Sequence, residues 1–86
     1  MSFRVVWRPI AEESLAAIWL TARDRFAIES AADYLNEDLS VRPTEKGESR
    51  VGSVRIVFHG TLGMLFEVIE GDNEVVVLDV WECRGE

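Results

Sequence analysis

Arg55 is the residue whose type and position most clearly suggest chemistry. It lies inside the stretch Val54–His59, which is otherwise almost entirely apolar, so a charged side chain there needs a reason. A guanidinium can hold a phosphate with several hydrogen bonds, and it stabilises the negative charge that develops when a nucleophile attacks phosphorus. The alternative is a structural ion pair with Glu67 or another acid on a neighbouring strand. The residues alone leave both interpretations open.

The other reactive groups favour structural roles. His59 is a candidate proton shuttle by residue type, but it precedes Gly60 at an expected turn and has no evident partner. Cys83 has no neighbouring base to make it a nucleophile. No spacing of His, Cys and acids matches a metal site, and no glycine loop opens a helix in the way that a phosphate-binding loop does. We therefore expect no metal and no other cofactor.

The composition indicates one small domain. Hydrophobic residues make up 48% of the 86 residues, which is enough for a core. The formal charge is −7, so nucleic acid would bind only through a local basic patch or a partner. The single cysteine excludes an internal disulfide and fits a reducing compartment. No apolar run suits export or a membrane span, so we expect a cytoplasmic protein without membrane contact.

The first half of the sequence predicts a strand followed by two helices. The strand covers Phe3–Arg8, and Pro9 suits the first position of a helix that ends near Thr21. Thr21 or Asp24 is expected to cap the second helix. The apolar face of that helix recurs at helical spacing and comprises Ile28, Ala31, Ala32, Leu35 and Leu39.

The second half predicts three strands. Residues 42–50 are polar and read as a loop, and the sheet is expected to resume only after Gly52. Tight turns at residues 59–61 and 71–73 separate the strands, of which the last two cover Leu62–Glu70 and Glu74–Glu82. The final strand is apolar on both faces, which is typical of a central strand.

Together these elements predict an α+β fold with the order β-α-α-β-β-β, forming a single domain over residues 1–86. A helical hairpin should pack on one face of a mostly antiparallel four-stranded sheet, because the sheet must bury its apolar side. The first strand is expected to pair with a later one, since its backbone groups need hydrogen-bond partners. The other face of the sheet should be partly open.

Three segments in this order resemble the RelE/ParE toxin superfamily of type II toxin–antitoxin systems, which includes plasmid stabilisation proteins. They are VVWRPIAEESLAAIW at residues 5–19, GSVRIVF at residues 52–58 and VVLDVW at residues 76–81. They correspond to the family's opening strand with its proline and amphipathic helix, its arginine-containing strand, and its last core strand. The resemblance covers nearly the whole chain.

The resemblance implies one of two activities. RelE-like members cut messenger RNA on the ribosome, whereas ParE-like members inhibit DNA gyrase and lack the nuclease residues. For the nuclease branch, it implies catalytic roles for Arg55 and Arg84 and RNA binding by Lys46 and Arg50. The alternative for these last two is local charge balance with the acids that flank them in the loop, and for Arg84 a solvated position near the chain end.

Two departures weigh against the nuclease. The chain ends at Glu86 without the C-terminal Tyr or His of that branch, and its acidic charge fits poorly with ribosomal RNA. We therefore expect a ParE-like growth inhibitor neutralised by a cognate antitoxin. The alternatives are a RelE-like ribosome-dependent endoribonuclease and a degenerate, non-catalytic module for protein binding. DNA gyrase and the ribosome are the corresponding targets, and a homodimer is a further option.

Overall fold

The computed structural model describes residues 2–83, and it places two helices against a five-stranded sheet. The strands are β1 (Arg4–Trp7), β2 (Glu48–Ser49), β3 (Val54–His59), β4 (Leu62–Ile69) and β5 (Glu74–Glu82). The helices are α1 (Pro9–Thr21) and α2 (Arg25–Leu39), and short 3-10 turns cover Pro43–Glu45 and Glu70–Asp72.

The strand order across the sheet is β1-β5-β4-β3-β2. β1 runs parallel to β5, with Arg4 opposite Glu74 and Trp7 opposite Val77, and the other neighbouring pairs are antiparallel. β5 therefore lies between two strands and carries apolar residues on both faces. This confirms the prediction of a central last strand and the pairing of the first strand with a later one.

The predicted number of four strands is wrong, because a fifth strand lies within the segment that we predicted to be loop. β2 pairs with β3, placing Glu48 opposite Ile56 and Ser49 opposite Arg55. Two polar residues show no alternation, so the hydrophobic pattern does not reveal this strand. Gly47, at a φ of +64°, makes the turn that leads into it.

Capping residues determine where the two helices begin. Pro9 occupies the start of α1, where a missing N–H costs nothing. Of the two predicted caps for α2, the structure selects Asp24, whose Oδ1 accepts a hydrogen bond from the N–H of Ala27 at 3.0 Å. The Thr21 hydroxyl instead donates to the carbonyl oxygen of Ala17 within α1.

Both helices cover the same face of the sheet. A single buried cluster joins Ala11 of α1 with residues of α2, β4 and β5, and the half-buried Val57 of β3 packs against it. Because side chains alternate along a strand, every second residue of β4 points into this cluster. In β5 a bulge interrupts the alternation, so Val77 and Val80 are both buried although they are three residues apart. The fully buried side chains on the sheet are Leu62, Met64, Phe66, Val75 and Val77.

The residues between these positions lie on the opposite face, where both helices are absent. Phe58 is 54% exposed and Val6 is 38% exposed, while Ile56, Leu65 and Val76 are half-buried. This confirms the prediction of a partly open face. Neither helix has the length and apolar character that crossing a membrane requires.

The turn into β2 gives a test of this architecture. A Cβ at Gly47 would meet the carbonyl oxygen of Ile56, whereas a Cβ at Gly52 meets nothing within 4 Å. Both glycines have positive φ, so alanine strains the backbone equally at each. We expect Gly47→Ala to lower the free energy of unfolding by at least about 1 kcal/mol more than Gly52→Ala. Urea denaturation measures both, and equal losses would contradict the pairing of β2 with β3.

Candidate functional site

Arg55 points to the helix-covered side of the sheet and binds backbone carbonyls there. It lies opposite the buried Phe66 and two residues before Val57, which packs on the core. Its Nε donates to the carbonyl oxygen of Lys46 at 2.7 Å, and its Nη2 donates to that of Gly47 at 3.2 Å. Within residues 2–83 no carboxylate lies in salt-bridge distance of this guanidinium.

The ion pair with Glu67 that we weighed for Arg55 is not formed. Glu67 lies opposite Val54, one residue out of phase with Arg55, and therefore on the other face. Its Oε2 accepts a hydrogen bond from the Ser53 hydroxyl at 3.0 Å.

Lys46 caps the C-terminal end of α2. Its Nζ donates to the carbonyl oxygens of Asp38 at 2.8 Å and Val41 at 3.0 Å, and to Oδ1 of Asp38 at 2.9 Å. These three bonds match the three donors of an ammonium group. A cation at a helix C-terminus also offsets the negative end of the helix dipole. Lys46 thus has a structural role that fully uses its hydrogen-bonding capacity.

Lys46 connects Arg55 to the end of α2, and we call this arrangement the Lys46–Arg55 link. The lysine side chain holds the end of α2, and the lysine carbonyl accepts from the arginine on β3. The link ties helix, loop and sheet edge together. Lys46, predicted to bind RNA, and Arg55, predicted to be catalytic, are therefore adjacent in space, and both donate to acceptors of the protein itself.

The remaining predicted cations lie elsewhere. Arg50 follows β2, and its Nη1 lies 3.5 Å from Oε1 of Glu48 in an exposed ion pair. This is the local charge balance weighed from the sequence. Arg84, the second predicted catalytic residue, lies outside the described residues. The proposed roles of Arg55, Arg84, Lys46 and Arg50 in RNA cleavage remain predictions.

Arg55 also lines a shallow depression, together with Thr44, Ser53, Val68 and Glu70. A guanidinium has five N–H donors, and the carbonyls of residues 46 and 47 take two of them. The carboxylate of Glu70 opposes the binding of a phosphate in the same depression. The geometry leaves Arg55 able to donate further hydrogen bonds, but among residues 2–83 no other Lys or Arg lines this depression.

His59 has a partner that sequence reasoning missed. Its ring stacks on the ring of Tyr34 in α2, with centroids 3.9 Å apart and planes 12° from parallel. The contact joins the end of β3 to the second helix, which supports a structural role. The N–H of Cys83 donates to the carbonyl oxygen of Thr61, and the thiol forms no disulfide. Across residues 2–83, no cluster of His, Cys and acids is suited to hold a metal ion.

An aromatic pair, Phe58 and Trp81, lies on the open side of the sheet. Phe58, Gly63 and Trp81 lie in one row across β3, β4 and β5. A Cβ at Gly63 would lie 2.5 Å from Nε1 of Trp81, so the indole rests on the backbone of β4 where only glycine leaves room. The ring of Phe58 meets the indole edge-on, with centroids 6.1 Å apart.

A second row crosses the same side of the sheet about four residues along. It runs from Val54 through Glu67 and Val76 to Val6. Glu67 is thus flanked by two valines, and its partner is a neutral hydroxyl. We define the open face as these two rows with Ile56 and Leu65 between them: Val6, Val54, Ile56, Phe58, Gly63, Leu65, Glu67, Val76 and Trp81. Asp79, the register partner of Leu65, lies at a bulge of β5 and is not counted, because its Oδ1 accepts a hydrogen bond from the Ser14 hydroxyl of α1.

The open face contains eight apolar or glycine positions, one carboxylate and no Lys or Arg. At its margin, Arg4 forms an ion pair with Glu74 at 2.6 Å. A surface of this kind suits another protein better than a nucleic acid, because it offers burial of apolar area and no counter-charge for phosphate.

Solved structures with the same fold are toxins or toxin–antitoxin complexes. A chain of the RelBE2 toxin–antitoxin complex from Mycobacterium tuberculosis matches with a TM-score of 0.77 and 19% identity, covering 100% of this chain and 95% of that one. The isolated RelE toxin of E. coli matches with a TM-score of 0.66 and 17% identity, covering 100% of this chain and 88% of that one.

A chain of the chromosomal ParDE toxin–antitoxin system from P. aeruginosa matches with a TM-score of 0.64 and 18% identity, over 95% of this chain and 97% of that one. No protein-family model matches the chain, and neither does any curated protein. The structural matches confirm the resemblance seen in the sequence at the level of the fold, which both RelE and ParE toxins share.

The Lys46–Arg55 link predicts that Lys46 is needed for stability. Lys46→Met keeps the aliphatic stem but removes three hydrogen bonds from a side chain that is 23% exposed. We expect the free energy of unfolding to fall by about 2 kcal/mol, as measured by urea denaturation. The control is Arg42→Met, which breaks an exposed ion pair with Glu45 and should cost less than about 0.5 kcal/mol. A Lys46→Met variant as stable as Arg42→Met would refute the link.

Proposed function

We propose that this chain is the toxin of a type II toxin–antitoxin module, that it stops growth by binding a target protein, and that a cognate antitoxin neutralises it in the cytoplasm. The activity is ParE-like, with DNA gyrase as the target. The fold shared with RelE and ParE toxins supports the class of protein. The make-up of the open face supports binding to a protein in preference to RNA cleavage.

The open face carries this proposal. The resemblance to the nuclease branch implies arginines on the face of the sheet, but the nine residues that define the open face, all within residues 2–83, include no arginine and a single ionisable group, Glu67. Two of the cations that the resemblance assigns to the nuclease, Lys46 and Arg55, bind backbone carbonyls on the other side of the sheet. Cleavage of RNA needs positive charge at the phosphate, since the negative charge there increases in the transition state.

The charge of the whole chain points the same way. With a formal net charge of −7, the molecule is repelled by RNA at long range. Electrostatic steering therefore slows its encounter with a phosphate backbone. A protein target imposes no such requirement. Burial of exposed apolar side chains such as Phe58 supplies the driving force instead.

A RelE-like endoribonuclease is the second candidate, and one observation favours it. Arg55 occupies the strand position that the resemblance assigns to a catalytic arginine, and its guanidinium has N–H groups left to donate. In that mechanism Arg55 and Arg84 would stabilise the phosphate while Lys46 and Arg50 hold the RNA. Lys46 would have to release the end of α2 to do so, which costs the three bonds that it makes there. The third candidate, a degenerate module, retains binding to an antitoxin without toxicity.

The cellular response separates these candidates. Expression of the chain from a tight promoter is expected to stop growth with loss of plasmid supercoiling and a DNA-damage response, while messages stay intact. Arg55→Lys should retain this toxicity, because a lysine keeps the charge on a residue that the proposed activity does not use directly. Plasmid topology on chloroquine gels and primer extension on abundant messages give the two readouts.

Cut messages with unchanged supercoiling, together with loss of toxicity in Arg55→Lys, would instead establish the nuclease. Absence of any growth effect would leave the degenerate module. The control for neutralisation is co-expression with the adjacent small reading frame, intact or interrupted by a stop codon. The intact frame should restore growth and co-purify with the chain, and the interrupted one should do neither.

A further inference from the structure

We propose that the open face docks an amphipathic helix of another protein, which packs apolar residues against Phe58 and Trp81 and places a Lys or Arg against Glu67. The inference rests on the proposed function, in that the chain acts by binding a protein. It goes further by naming the surface, the kind of segment that covers it and the charge that the segment carries.

The aromatic pair is the apolar anchor of this surface. The indole of Trp81 packs against Gly63, which has no side chain to displace it, and Trp81 is only half-buried. Phe58 supports it edge-on and is itself 54% exposed. Aromatic groups held in place by their neighbours lose little conformational entropy on binding, which is the property of binding hot spots.

Glu67 supplies the charge that selects the partner. It lies between Val54 and Val76 on neighbouring strands and, within residues 2–83, has no cation in salt-bridge distance. Covering it with a purely apolar segment would remove its water without providing a counter-charge, which is costly. A Lys or Arg of the partner at this point satisfies the carboxylate and fixes the register of the segment.

The backbone of the open face requires the partner to be helical. Backbone hydrogen bonds lie in the plane of a sheet, and β4 and β5 are paired on both sides, so their donors and acceptors do not point out of the face toward a partner. A segment lying on the face must therefore satisfy its own backbone, and a helix does so. The covered side of the same sheet shows this solution, since α1 and α2 pack on it.

The distance between the aromatic pair and Glu67 determines how far apart the apolar residue and the cation must be in the partner helix. Gly63, which marks the aromatic row, and Glu67 are four residues apart on β4, or roughly 13 Å. A helix rises about 1.5 Å per residue, so its apolar anchor and its cation should be about eight residues apart on one stripe.

Charge disfavours two other occupants. A second copy of this chain would bring a net charge of −7 and its own Glu67 toward the same surface. RNA would bring phosphates to a face without Lys or Arg. A basic, amphipathic segment is the occupant that the charges favour.

The test uses two synthetic helical peptides, each roughly 20 residues long. Both peptides carry a leucine stripe with one phenylalanine. Eight residues after the phenylalanine on that stripe, the first peptide has a lysine and the second has a glutamine. Each is titrated into the isotope-labelled full chain, and NMR shift changes give the site and the Kd. We expect the lysine peptide to shift amides of β3, β4 and β5 and to bind about fivefold more tightly than the glutamine peptide.

Three protein variants sharpen the test. Phe58→Ser should weaken the lysine peptide about tenfold, whereas Phe26→Ser should leave the Kd unchanged, because Phe26 is 77% exposed on α2, outside the open face. Glu67→Gln should abolish the preference for lysine over glutamine, which is the coupling that a double-mutant cycle detects. The spectrum of each free variant verifies its fold.

Several results would overturn the inference. These are an absence of binding, equal losses in Phe58→Ser and Phe26→Ser, shift changes confined to α1 and α2, or a lysine preference that persists in Glu67→Gln. A dimer of the free chain that dissociates in Phe58→Ser would show instead that a second copy occupies the face. None of these results bears on toxicity, which the growth assay tests separately.

Discussion

The structure depends on one constraint: the sheet has two faces, and the two helices cover only one of them. Both helices pack on one side, and the alternation of side chains along β3 and β4 then assigns each of their residues to a covered or an open position, while a bulge in β5 shifts the alternation once. Arg55 lies on the covered side and Phe58 on the open one for this reason alone. A slip of one residue in the register of β3 would exchange them, and with them the chemistry that each side offers.

The use of the basic residues follows from that assignment. On the covered side Arg55 reaches the carbonyls of the loop before β2, and Lys46 reaches the end of α2. Each cation thereby donates to backbone carbonyls at the end of α2 or in the loop before β2, where the regular hydrogen-bond pattern of helix and sheet is interrupted. The same fold, in RelE and ParE toxins, is found in solved structures with less than 20% identity to this chain. Function on such a fold lies in the residues of the face and not in the fold itself.

Most of the fold could be predicted from the sequence, because the spacing of apolar residues indicates helices and strands, and proline, glycine and capping residues indicate where they begin and end. Pro9 and Asp24 mark the helix starts, and the apolar run of the last strand marks its central place. β2 escaped detection because two polar residues carry no periodic signal. The partners of Arg55 could not be predicted, since they are backbone atoms brought together by a turn. The contact between Trp81 and Gly63 is indicated in the sequence by a glycine inside an apolar strand. The sequence does not show that the tryptophan lies over it, because this follows only from the pairing of β4 with β5.

The central claim is that one side of the sheet remains available to another macromolecule, and Trp81 reports on it most directly. In a variant with Trp7→Phe and Trp19→Phe, all tryptophan fluorescence comes from Trp81, and acrylamide quenching measures how accessible its ring is. The account predicts emission that acrylamide quenches readily and that binding of the lysine peptide protects. Blue-shifted emission that acrylamide fails to quench in the free, folded chain would show that the protein's own residues seal this side, and it would contradict the account.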